Sequence, residues 1–140
     1  MVATLNLRSG PDRQGVLVVS FRGMIEATDV LTDLAFAPTR FSAATWGSVD
    51  VGEPMVVYGG FLAAFLSLLP RLDKIIAAAA IARGVPRLLF TGHSMGGALA
   101  QLAAAHYHGY SPWLVTLGAL SLGNNAFSDT LRGACVPSEA

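Results

Sequence analysis

The sequence predicts an α/β fold, a mostly parallel sheet flanked by helices. Three observations lead there. Short, almost wholly apolar runs rich in β-branched residues, such as Gly15 to Phe21 ("GVLVVSF"), suit strands buried on both faces of a parallel sheet. Longer stretches with helical spacing separate these runs, so strands and helices alternate. The chain has 140 residues, the length of one domain, with 53% hydrophobic and only 13% charged residues. That is more apolar than a small soluble domain usually is. It asks for a deeply buried sheet, or for surface covered by parts outside these residues.

The elements follow in order. After the strand Gly15 to Phe21, "RGM" makes a turn. Ile25 to Phe36 has the apolar spacing of a short amphipathic helix, closed by Pro38. Phe41 to Trp46 reads as loop, and "VDV" and "MVVY" around "GEP" as a short hairpin. Phe61 to Ala82 is helical in pattern, with a kink or break expected at Pro70. "GVP", Gly84 to Pro86, ends it. Arg87 to Thr91 is the next strand, and Met95 to about His108 the next helix. "WLVTLG" is a further strand, and "GNNAFSDTL" turns into a last short helix. A sheet of this type usually has more than these three core strands, so it is expected to be incomplete at the C-terminus.

Composition excludes several function classes. Lys+Arg and Asp+Glu balance at 9 each, so no basic field suggests nucleic acid. A single cysteine, Cys135, forms no internal disulfide and leaves the compartment open. The N-terminus lacks the apolar core of a signal peptide. The longest unbroken apolar run, Ile75 to Ala82, is too short to span a bilayer. No cluster of His, Cys and carboxylates has ligand spacing, so no metal or cofactor is implied.

The chemistry centres on "LLFTGHSMGGALAQLAAAH", Leu88 to His106. "GHSMG" fits G-x-S-x-G, which is weak alone. Here it sits between an apolar strand and an alanine-rich helix, as a nucleophile elbow requires. Such a turn holds Ser94 in a strained conformation with its hydroxyl clear of the sheet. Gly92 and Gly96 would let strand and helix approach closely. The N–H of Met95 would point where an oxyanion forms, aided by the helix N-terminus. The plain alternative is a serine that caps a helix. A second oxyanion donor should come from a loop after an earlier strand, and "FRGM", Phe21 to Met24, is placed for it. An ordinary strand-end turn is the alternative there.

"VVSFRG", "TDLAF", "GGFLAAF", the serine block and "LGALSLGNNAFSD" come in the order and rough spacing of the fungal-type (class 3) lipases, which the chain resembles from about Val16 to Leu131. Many α/β-hydrolases share the serine block; the "FRG" and "G…GN.AF" blocks point to this family. The resemblance implies an α/β-hydrolase core that cleaves acyl esters of lipids with a Ser-Asp-His triad at a lipid–water interface. It implies Ser94 as nucleophile, and Met95 and Met24 as residues whose backbone N–H groups hold the oxyanion. Met24 stands where the family usually has Ser or Thr, so an orienting hydroxyl is lost. Residues 24–37 resemble the helical lid, with Ile25, Val30, Leu31, Leu34 and Phe36 covering the site in water; a plain core-packing helix is the alternative. "GALSLGN" lacks the Pro-Arg pair that the family favours.

The base and acid are a different matter. His93 precedes the serine on the elbow, where adjacent side chains point apart. His106 and His108 lie 12 and 14 residues down the helix from Ser94, roughly 18–21 Å along its axis. They read as solvated residues favoured by the helix C-terminus. None can serve as base. Asp129 lies in the "GNNAFSD" block, which in the family precedes the catalytic aspartate, and is rejected. "ACVPSEA" echoes the family's later "D-x-V-P" segment without its aspartate. The expectation is therefore a part of a longer lipase, a single partial domain over residues 1–140. The alternatives are a catalytically inactive lipid-binding or regulatory module, or a site completed by a partner subunit.

Overall fold

The computed structural model describes residues 2–7, 15–23, 37–40, 54–84 and 87–135. Its elements run β1 (Val2–Leu7), β2 (Val16–Phe21), β3 (Pro38–Arg40), β4 (Val56–Tyr58), α1 (Gly59–Arg83), β5 (Arg87–His93), α2 (Met95–His106), a short 3₁₀ turn (His108–Tyr110), β6 (Trp113–Leu117) and α3 (Asn125–Ala134).

The main sheet has the order β1-β2-β5-β6. Both β2–β5 and β5–β6 pair in parallel, and β1 pairs with β2 antiparallel. The sheet is thus mostly parallel, as expected, with an antiparallel strand at its edge. Burial in β2 alternates, however. Leu17, Val19 and Phe21 are buried, while Val16, Val18 and Ser20 are half-buried. The cause lies in the layers. The inward residues share a face with Leu88, Phe90 and Gly92 in register, and α2 lies across that face. The opposite face, where Val18, Leu89 and Trp113 form one row, is only half-buried among the described residues.

Helix α1 runs unbroken through Pro70. The missing proline N–H would have bonded the carbonyl of Leu66, four residues back. Leu66 and Pro70 are both exposed, so water can serve that carbonyl. Phe61, Phe65, Leu72 and Ile76 recur at helical spacing and are buried. The helix ends at Gly84, whose φ of 77° favours glycine. Helix α2 is buried on nearly all sides, which its alanines and glycines permit by letting β5 and α1 come close.

The "MVVY" strand is present as β4, but its partner is β3, with Thr39 opposite Val57. The "VDV" half of the expected hairpin lies outside the described residues. Beyond β4 the chain 122–124 closes in as well. Tyr58 N–H donates to the carbonyl of Leu122 at 3.0 Å, and Gly123 bridges Val57. Asn124 fastens this junction. Its Oδ1 accepts from the N–H of Val56 at 3.1 Å and of Phe127 at 3.2 Å, capping α3, while its Nδ2 donates to the carbonyl of Pro54 at 3.0 Å. A Cβ on Gly123 would overlap the carbonyl of Val56. The "GN" of the last block is therefore a structural clamp. No helix among the described residues is long and apolar enough to cross a membrane.

Candidate active site

Strand β5 delivers the chain to Ser94, and α2 begins at the next residue. Ser94 has φ 53° and ψ −122°, a conformation that costs a non-glycine residue about 1–3 kcal/mol. The neighbours hold it from both sides. Its N–H donates to the carbonyl of Leu117 at the end of β6, 3.1 Å away. Its carbonyl accepts from the N–H groups of Gly97 at 2.9 Å and Ala98 at 3.2 Å. Those bonds start the helix one residue after Gly96. The N–H groups of Met95 and Gly96 therefore precede the first intrahelical bond and form the positive end of α2.

The glycines explain how tightly the turn is packed. A Cβ on Gly92 would overlap the backbone of Gly96, and a Cβ on Gly96 would overlap the carbonyl of Phe21. One on Gly97 would stand 2.6 Å from the Cβ of Ala119. The exit of β2 is thus pressed onto the start of α2. Gly23 continues that contact, since a Cβ there would lie 2.7 Å from the carbonyl of His93. The described chain brings together Ser94, Gly92, Gly96 and the N–H of Met95. Met24 and the lid residues Ile25, Val30, Leu31, Leu34 and Phe36 lie outside the described residues.

The sequence singled out neither Gly23 and Gly118, which flank His93, nor Gly97 against Ala119. "FRG" and the doubled glycine after the serine were visible, but their contacts join segments far apart in sequence.

All three histidines are described. His93 is exposed, and no hydrogen bond joins it to Ser94 among the described residues. His108 lies in the 3₁₀ turn, with Nδ1 3.2 Å from the carbonyl of Ala105. His106 corrects an expectation. It is not a solvated helix-end residue but a half-buried one, its ring edge-on to Phe65 at 5.7 Å and Tyr107 at 4.8 Å. Burial lowers its pKa from 6.5, against an opposing pull from Asp73. The Tyr107 hydroxyl donates to Asp73 at 2.7 Å, and burial together with that bond pushes its pKa up. This cluster sits at the far end of α2. Asp129 is exposed and paired with Arg132 at 2.8 Å. No group of three or more metal-binding side chains occurs among the described residues.

A chain from Fusarium solani, secreted mono- and diacylglycerol lipase 1, is 30% identical over 115 residues, covering 81% of this chain and 32% of the relative. The solved lipase of Rhizopus microsporus var. chinensis superposes with a TM-score of 0.73 and 26% identity, covering 97% of this chain and 46% of that one. The Aspergillus oryzae mono- and diacylglycerol lipase shares the fold, with a TM-score of 0.69 and 22% identity over 93% of this chain and 50% of that one. The chain thus spans about a third of the curated relative and about half of the solved structures. Residues 18–136 match the family model of lipase (class 3). The chain belongs to the class 3 lipase family and carries its α/β-hydrolase fold.

Proposed function

We propose that these residues are the nucleophile-bearing part of a serine lipase that hydrolyses acylglycerol-type esters. The observation that carries the reading is Ser94 at φ 53° between β5 and α2, beside the Met95 and Gly96 amides that precede the first intrahelical bond. In this reading the Ser94 hydroxyl attacks the acyl carbon. The N–H groups of Met95 and Met24 hold the oxyanion. A base takes the hydroxyl proton and returns it to the leaving alcohol, and water then frees the acyl group. The acylglycerol substrate is suggested by the name of the Fusarium solani relative.

The base and its orienting acid are assigned to polypeptide outside these 140 residues. His106 at the end of α2 and His108 in the turn beyond it lie 12 and 14 residues from Ser94, and no hydrogen bond joins His93 to Ser94 among the described residues. Removing the histidine from such a triad costs about a millionfold in turnover. The 140 residues alone are therefore expected to show negligible esterase activity. The same observation favours a second reading, a lipid-binding module without catalysis.

The test is fluorophosphonate labelling of the protein isolated from its source, with intact mass and peptide mapping. The lipase reading expects an adduct on Ser94, within the tryptic peptide Leu88–Arg132, on a protein heavier than these residues alone. If a known serine hydrolase labels in parallel and Ser94 does not, the second reading replaces it.

A further inference from the structure

We propose that Gln101 is a positioning residue, whose side-chain amide ties down the loop after β6 and through it steadies the carbonyl that holds the Ser94 N–H. The catalytic part of this inference rests on the Ser94 reading above.

The residue is out of character for its helix. From Gly96 to Ala105, α2 is glycine, alanine and leucine except at Gln101. Those neighbours are all buried, and Gln101 is half-buried among them. An amide that gives up water on such a helix needs a partner. It has one in the loop after β6, where Nε2 donates to the carbonyl of Leu120 at 3.4 Å.

The loop needs that bond. The β5–β6 ladder ends with His93 opposite Leu117, and the chain is next held where Tyr58 N–H donates to the carbonyl of Leu122. Among the described residues no backbone bond reaches 118–121. Ala119 and Leu120 are nonetheless half-buried, so a carbonyl there gains from a donor supplied by a side chain.

The loop runs along one face of α2. The carbonyl of Leu117 takes the Ser94 N–H at 3.1 Å, Ala119 sits where only a glycine at 97 leaves room, and Leu120 meets Gln101. Positions 94, 97 and 101 are a turn apart and share that face. Gly118, at φ 54°, turns the chain out of β6 directly after the Leu117 bond. Glycine passes little restraint from β6 to Ala119. The tether at Leu120 closes the loop on its far side and keeps the Leu117 carbonyl on Ser94.

The experiment compares wild type, Gln101→Leu and Gln101→Glu in the full chain. Leucine keeps comparable bulk and removes the donor. Glutamate keeps the shape, and its carboxylate donates nothing until it is protonated at about pH 4. The first readout is hydrogen exchange, which needs no catalysis. A tether at the long end of hydrogen-bond distance predicts exchange about threefold faster at the Ser94 amide in Gln101→Leu. The Asn124 amide, bonded to the carbonyl of Val56 beyond the loop, should not change. In Gln101→Glu the same acceleration should appear near neutral pH and shrink toward wild type at about pH 4. The second readout is the rate of fluorophosphonate labelling at Ser94, with kcat and KM for a short-chain ester. A loosened Ser94 turn predicts labelling and kcat about threefold slower in both variants near neutral pH, with KM unchanged.

Unchanged exchange at Ser94 in Gln101→Leu overturns the tether. Equal acceleration at Ser94 and Asn124 overturns it too, because that is a general loss of stability. Faster exchange at Ser94 with unchanged labelling overturns the role in positioning. If Gln101→Leu does not fold, Gln101→Glu decides: an acceleration that closes at low pH supports the tether, whereas none, or one independent of pH, overturns it. Wild-type protein that takes no label at Ser94 sinks the Ser94 reading and the catalytic part of this inference. The exchange readout then still decides the tether.

Discussion

The two ends of α2 are held by opposite means. At its start the packing is made of missing side chains: Gly92, Gly96 and Gly97 let backbone press on backbone, and Ser94 is held in a strained turn. At its far end the packing is made of rings. Tyr107 stacks on Phe90 at 5.7 Å and bonds Asp73, while His106 fills the space beside Phe65. The difference teaches where a fold can bend. Backbone contacts leave no rotamer to adjust, so the start of α2 has one geometry or none. Side-chain contacts can repack, so the far end answers to substitution and to pH by degrees.

The sharpest way to break this comparison is Gly96→Ala. Its methyl would overlap the carbonyl of Phe21, so β2 or α2 must move. The expected cost is about 3 kcal/mol in urea unfolding, together with loss of Ser94 labelling. A cost below about 0.5 kcal/mol would show that the start of α2 is as yielding as its other end. Ser94→Gly tests the strain from the opposite direction. Glycine adopts φ 53° freely, so stability should rise by about 1 kcal/mol while labelling disappears. A fall in stability would mean that the turn stores no strain.

The smallest effect is at the ring end. His106 has its folded pKa lowered, chiefly by burial, so the unfolded chain binds the proton more readily. Its contribution is fully present above the ordinary value of 6.5 and is lost as pH falls toward the lower folded value. The melting temperature should therefore decline modestly as pH drops below 6.5, and His106→Gln should flatten that part of the curve. An unchanged slope in the variant would remove His106 as the cause.

Strands β2, β5 and β6 and the three helices were legible because each carries its own period or apolar run. What was missed depends on partners distant in sequence. β3 is three residues beginning with proline, too short for any pattern, and it exists through pairing with β4. The sequence points to "VDV", just before β4, as its partner, whereas β3 lies further upstream. β1 alternates weakly, and nothing local says that it pairs with β2 antiparallel. His106 reads as solvated from sequence because a helix end looks exposed until the crossing of α1 is known. At the site, the serine turn and its two glycines were readable from the strand–serine–helix context. The roles of Gly23, Gly118 and Asn124 were not, because each is defined by a segment that the sequence does not place beside it.

The long reach between β2 and β5 has a kinetic consequence. Leu17 pairs with Leu88, whereas α1, β5, α2 and β6 follow one another directly. The consecutive units can assemble through short-range contacts. β2 must close a far larger loop before it docks, so it should arrive late. Until then nothing presses Phe21 on Gly96 or Gly23 on His93, and the turn at Ser94 is free to relax. Refolding followed at once by far-ultraviolet circular dichroism and by exchange at the amides of β2 should show helix first and protection of β2 afterwards. Simultaneous recovery would mean that β2 is in place from the start. On the expected schedule, a newly made chain is well structured for a time before it owns a working corner.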